Sequence, residues 1–129
     1  MQTNMIKTII GAFLVGFCIK AGIFEWMIAE GNSMIPTIYP GSILPVVKIA
    51  YGLRIPGTQH YVLRWNQPKS GDVVVFVAPD GSLAVKRCFR SDNNTAVFSA
   101  YGDNSPNSLD SRAYGDLSLD CIIGKVLGF

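Results

Sequence analysis

Residues 71–89 read "GDVVVFVAPDGSLAVKRCF". Two runs rich in Val, Ala and Phe flank the turn Pro79-Asp80-Gly81-Ser82. Each run is too short for a helix of its own, and an Asp-Gly step between β-formers predicts a β-hairpin. Along the second strand Ala84, Lys86 and Cys88 share one face, and Val85 and Arg87 share the other. Period two therefore lets Lys86 point inward beside small apolar side chains. Its ammonium is disfavoured there. Bringing a lysine pKa from about 10.4 to about 7 takes roughly 4–5 kcal/mol of differential solvation, a size that full burial supplies. The competing reading is an edge lysine that discourages strand aggregation.

Outward from the hairpin, "SILPVVKIAYG", "YVLRW", "NTAVFSAYG" and "LDCIIGKVLGF" are also short, β-branched or aromatic, and bounded by Gly, Pro, Asn and Asp. They predict strands. No helical stripe, internal repeat or low-complexity tract is visible between Gly31 and Phe129. The expected fold class is mainly β: a compact antiparallel sheet, barrel-like, behind one N-terminal helix. "NNT" at Asn93 to Thr95 matches a glycosylation acceptor, but a turn between strands has the same composition.

That helix is predicted from residues 6–24, an apolar stretch whose only charges are Lys7 and Lys20 near its ends. Its length suits a transmembrane span whose lysines snorkel. A cleavable signal peptide is the alternative, but no small-x-small exit precedes a plausible mature start. The expected organisation is a short cytoplasmic segment at 1–5, an anchor at 6–24 and an extracytoplasmic β domain at 25–129. Lys7 before the span favours that orientation, and Trp26 suits the interface.

The net charge of +2 with 16% charged residues leaves no basic stripe, which sets nucleic-acid binding aside. His60 is the only histidine, and Cys18, Cys88 and Cys121 lack C-x-x-C spacing, so neither a metal nor a cofactor is expected. A bond between Cys88 and Cys121 stays open. His60, in "PGTQHY", reads as a solvated loop residue.

"GNSMIPTIYPGS", residues 31–42, follows the apolar segment and offers Ser33. It lacks the second glycine of the G-x-S-x-G elbow, and the lone histidine is a poor candidate for its base. A lysine held neutral can take that place. The loop "GDNSPNSLDSR", residues 102–112, adds Asp103, Ser108, Asp110, Ser111 and Arg112. Read blandly, it is an Asx-rich turn tied by a salt bridge. A hydroxyl from it could also orient the amine of Lys86.

Together these blocks resemble the type I signal peptidases, the bacterial membrane-anchored serine proteases with a Ser/Lys dyad, in minimal-core form. "FCIKAGIFEWMIAEGNSMIPTIYPGS" resembles the family's anchor exit and S-M-x-P-T box. "VVKIAYGLRIP" and "PKSGDVVVF" resemble the next strand blocks, "AVKRC" the lysine box, "GDNSPNSLDSRAYG" the last box and "IIGKVLG" the closing strand. The resemblance implies that Ser33 is the nucleophile and Lys86 the general base. It implies that Ser108 positions the lysine amine, that Asp110 and Arg112 brace the loop, and that the Ser33 backbone N–H faces the oxyanion. Met34 would shape the surface near the membrane, and Ala29, Ile38 and Val85 would line shallow pockets for the small side chains of an Ala-x-Ala motif. An extended substrate would pair beside residues 27–31, which include Met27, and 83–85.

The implied partners are preproteins bearing signal peptides and the lipid bilayer, without nucleic acid, metal or cofactor. The implied location is the outer face of the bacterial cytoplasmic membrane. Gly31 stands where many relatives have a serine that donates to the oxyanion, and "FRSDNNT" replaces a glycine- and proline-rich turn. Two other readings stay open: a peptidase dedicated to conjugative pilin maturation, and a membrane-tethered β module that binds peptides without cleaving them. LexA-like repressors share the Ser/Lys fold, but the anchor argues against them.

Overall fold

The computed structural model describes residues 2–55, 58 and 60–129; the side chains of 18–21, Cys18 and Lys20 among them, lie outside that description. Helix α1 runs over Gln2–Ile23, and strand β1 follows at once over Phe24–Ile28. The remaining strands are β2 (Ile43–Val47), β3 (Gly52–Arg54), β4 (Tyr61–Arg64), β5 (Val73–Val77), β6 (Leu83–Asp92), β7 (Val97–Tyr101), β8 (Leu117–Ser118) and β9 (Ile122–Val126). One turn of helix, α2, occupies Ser111–Tyr114.

Seven strands form one antiparallel sheet in the order β1-β2-β9-β5-β6-β7-β8, and β3 pairs with β4 as a separate ribbon. The sheet explains why β5 reads as an unbroken apolar run. It lies between β9 and β6 and is covered on both faces. Val73 and Val75 pack with Ala29, Met34, Ile38, Leu44, Val46 and Val126 on one side. Val74 and Phe76 pack with Tyr51, Phe98, Ala100, Leu119 and Ile122 on the other, where Phe76 and Phe98 meet edge to face at 5.4 Å. The Asp-Gly step connects β5 to β6 as the hairpin demands, with Val75 opposite Val85 and Val74 opposite Lys86.

Three expectations need correction. The helix begins at Gln2, so residues 2–5 do not form a separate segment, and it stops at Ile23, because Phe24 and Trp26 already belong to β1 and pair with Val47 and Pro45. Among the described residues no helix is long and apolar enough to cross a membrane. The expected span at 6–24 is thus seen as a helix, not as a crossing. Third, "FRSDNNT" is not a turn throughout: β6 bulges between Cys88 and Arg90, continues to Asp92, and turns only at residues 93–96.

Candidate active site

Ser33 owes its place to two residues of the turn that follows it. Met34 and Ile38 stand four apart, joined by an Ile38 N–H to Met34 carbonyl bond of 2.9 Å, and both side chains are buried in the core beneath β1 and β2. Sinking them leaves Ser33 at the surface of a cleft of about 600 Å³. Met27, Ala29, Met34, Ile38 and Val85 line that cleft with Ser33 and Lys86. Leu109 and Tyr114 line it too, although the sequence offered no reason to single them out.

Both long walls are strand edges. In the sheet β1 pairs only with β2, and the ladder between β6 and β7 covers Arg87–Asp92, which leaves residues 83–86 without a strand on that side. Unpaired N–H and C=O groups on facing edges suit an extended peptide.

Lys86 extends from β6 to Ser33, its Nζ donating to the serine Oγ at 2.6 Å. The lysine is only 7% exposed. Burial pushes its ammonium below the usual lysine value of 10.5, while the Asp110 carboxylate pulls the other way. Ser33 Oγ is the amine's only hydrogen-bond partner among the described residues.

Ser108, Asp110 and Arg112 meet in one network. Burial alone would raise the Asp110 carboxyl, but hydrogen bonds from the Arg112 and Ser108 side chains and the Gly102 and Arg112 backbone N–H groups hold it well below the usual carboxylate range. Ser108 Oγ donates to Asp110 Oδ2 at 2.6 Å, and Arg112 Nη2 donates to the same oxygen at 2.5 Å. The guanidinium also lies over the Tyr101 ring at 4.8 Å. This corrects the expectation for Ser108. Its hydroxyl is engaged by Asp110, no Ser108–Lys86 hydrogen bond exists among the described residues, and its link to the lysine is indirect.

The same loop grips the serine from behind. A Cβ at Gly102 would stand 2.6 Å from the Ser33 carbonyl oxygen, so only glycine lets these backbones approach. The Asn104 backbone N–H donates to that carbonyl at 2.8 Å, and Asn104 Nδ2 donates to the Asn32 carbonyl at 2.9 Å. Asp103 accepts from Arg87 Nε and Nη2 at 2.9 and 2.8 Å and from Thr37 Oγ1 at 2.6 Å, joining the neighbour of Lys86 to the segment after Ser33. The sequence reading gave Asp103 no role and missed Thr37, Arg87 and Asn104. These partners are distant in sequence, and no local pattern announces them.

His60 is exposed, and Cys88 and Cys121 are free.

A mainly antiparallel β domain with a peptide-sized cleft between open strand edges, and a buried lysine bonded to a serine within it, defines a class of peptidase-like fold. The chain belongs to the signal peptidase, peptidase S26 family, whose model matches residues 2–89, a stretch that includes Ser33 and Lys86 but ends before the 102–112 loop. It is 31% identical over 78 residues to signal peptidase I of Buchnera aphidicola subsp. Schizaphis graminum, covering 60% of this chain and 25% of that protein. Signal peptidase I of Haemophilus influenzae is 31% identical over 81 residues, 63% of this chain and 23% of the relative. Signal peptidase I of Helicobacter pylori is 30% identical over 115 residues, 78% of this chain and 38% of the relative. The matched stretches thus span well under half the length of these relatives.

Proposed function

We propose that the chain is a signal peptidase, a serine endopeptidase that removes N-terminal signal peptides from preproteins after small residues. The observation that carries this reading is the 2.6 Å bond between a buried Lys86 amine and Ser33 Oγ inside a peptide-sized cleft. Neutral Lys86 takes the hydroxyl proton as Ser33 Oγ attacks the scissile carbonyl carbon. The oxyanion that forms is met by the Ser33 backbone N–H. As the tetrahedral intermediate collapses, the carbon–nitrogen bond breaks and the lysine ammonium protonates the departing amine. A water then attacks the serine ester, gives its proton to Lys86, and the acid product leaves with the hydroxyl restored. Asp110 and Arg112 hold the loop behind the dyad, and Ser108 donates to Asp110 as part of that network.

Ala29, Met34, Ile38 and Val85 line the cleft beside Ser33, and in this reading they form the pockets that take the small side chains of an Ala-x-Ala motif. The substrate strand adds to the edges at residues 27–31 and 83–85.

Helix α1 supports a membrane location. Ile6, Ile9, Ile10, Phe13, Leu14 and Phe17 are all exposed. An apolar surface of that size, at about 25 cal/mol per Å², gains from hydrocarbon. We place the chain at a bacterial cytoplasmic membrane with the cleft on its outer face, where exposed apolar residues of α1 and of β1, Trp26 and Ile28 at 60% and 69% exposure, meet the lipid.

The test is incubation of the detergent-solubilised chain with a preprotein, followed by mass determination of the new N-terminus. Cleavage after Ala-x-Ala that is lost in Ser33→Ala is the expected outcome. Binding without cleavage by the folded wild type would leave a peptide-binding module instead. Release of the chain by alkaline carbonate would overturn the membrane placement.

A further inference from the structure

The Ser33 backbone N–H makes no hydrogen bond among the described residues, yet the peptide unit it belongs to is held in one orientation. That N–H and the Asn32 carbonyl are opposite ends of a single planar trans peptide, so whatever fixes the carbonyl also fixes where the N–H points. Asn104 Nδ2 donates to the Asn32 carbonyl at 2.9 Å; the other donor, the Ile35 N–H, is more distant at 3.3 Å. The Asn104 backbone N–H meanwhile donates to the Ser33 carbonyl at 2.8 Å. One residue thus holds the carbonyls on both sides of the nucleophile. Asn32 itself is exposed.

The holder is itself held. The Asn107 N–H donates to the Asn104 carbonyl at 2.9 Å, and the preceding Asp103 is clamped by Arg87 and Thr37. The need for such a device follows from Gly31. It has no side chain to offer the oxyanion, and its backbone, at φ +75, lies in the left-handed region where any other residue would be strained. Stabilisation then falls on a backbone donor, and an N–H that swings by a few tens of degrees loses most of its hydrogen bond.

We propose that Asn104 is a positioning residue: by binding the Asn32 carbonyl, its side-chain amide aims the Ser33 N–H at the oxyanion. This rests on the peptidase reading above. The interaction acts only as negative charge develops, so its loss appears in kcat and not in KM.

The experiment compares the full-length wild type with Asn104→Ala and Asn104→Asp, cleaving a peptide that spans an Ala-x-Ala site. Both variants keep the backbone bond to Ser33, and the second keeps the shape while turning the donor into an acceptor. We expect kcat to fall about ten- to a hundredfold in Asn104→Ala and at least as far in Asn104→Asp. KM should stay within about twofold, and the midpoint of the pH–rate profile should not move, because the surroundings of Lys86 are untouched. A merely structural asparagine would instead disturb KM or the midpoint as the loop loosened.

Folded variants with wild-type kcat, or a loss carried by KM, would overturn the role. If Asn104→Ala does not fold, Asn104→Asp decides by the same criteria. A wild-type chain that does not cleave overturns the peptidase reading; a wild type that cleaves beside equally active variants overturns the role of Asn104 alone.

Discussion

Lys86 and Asp110 are the two charged residue types buried among the described residues, and their surroundings drive them in opposite directions. Asp110 accepts hydrogen bonds from Gly102, Ser108 and three nitrogens of Arg112. Lys86 has Ser33. Burial disfavours the charged form of both, so the number of compensating partners decides the outcome. The carboxylate is saturated and stays ionised; the amine is left nearly alone and moves toward neutrality. The site holds a charge at Asp110 and sheds one at Lys86, and the proposed base is the group that sheds it.

The sharpest way to break this contrast is to remove the under-partnered side. Lys86→Ala and Ser33→Ala should each lower cleavage by about 10⁴-fold or more while far-UV circular dichroism shows a retained fold. Residual cleavage by Lys86→Ala near the wild-type rate would end its role as base. Removing the saturated side should act on stability first. Asp110→Ala strips partners from Arg112, Ser108 and the Gly102 N–H, and should cost about 3 kcal/mol in urea denaturation; a cost under about 1 kcal/mol would mean the network is dispensable.

The contrast also predicts two separate responses to pH. Lys86 must be neutral to act, so the rate rises with pH through its lowered pKa and falls about tenfold per unit below it. Asp110 has a folded pKa below its ordinary 3.8. Its stabilisation is therefore complete above that value and is lost as pH falls toward the folded one. Activity should disappear on mild acidification while the fold persists, and coincident loss of both would contradict the assignment.

A smaller effect sharpens the comparison. Ser108→Ala removes one of several donors to Asp110 and should cost about 1–2 kcal/mol, with the pH–rate midpoint unmoved because the hydroxyl does not bond Lys86. A shifted midpoint would restore a direct contact. Arg90→Ala breaks an exposed pair with Asp116 and should change stability by less than about 0.5 kcal/mol.

How much of this was legible follows from the distance over which each signal acts. The β5–β6 hairpin was readable because an Asp-Gly turn and apolar runs are local, and the strands at 43–47, 61–64, 97–101 and 122–126 declared themselves by composition in the same way. Strand β1 was not, since "FEWMI" continues an apolar stretch and periodicity cannot divide a helix from a strand there. Leu109 and Tyr114, from the 102–112 loop and the helical turn α2 that ends it, line the cleft with residues more than 20 positions away in sequence. The clasp of Asp103 on Thr37 and of Asn104 on Asn32 spans 66 and 72 residues. No window of sequence contains both ends.

By itself the sequence determined the local choices: an apolar N-terminal helix, a mainly β remainder, a lysine on a strand, and a serine in a Pro-rich turn, with the order of its blocks pointing to the family. Only the tertiary structure decided which groups are dry and which are paired. Solvation and hydrogen bonding depend on what the sheet and loop bring together, and therefore the 2.6 Å meeting of residues 53 apart, Ser108 turning to Asp110, and the grip of Asn104 on the backbone around Ser33 could be seen only in three dimensions.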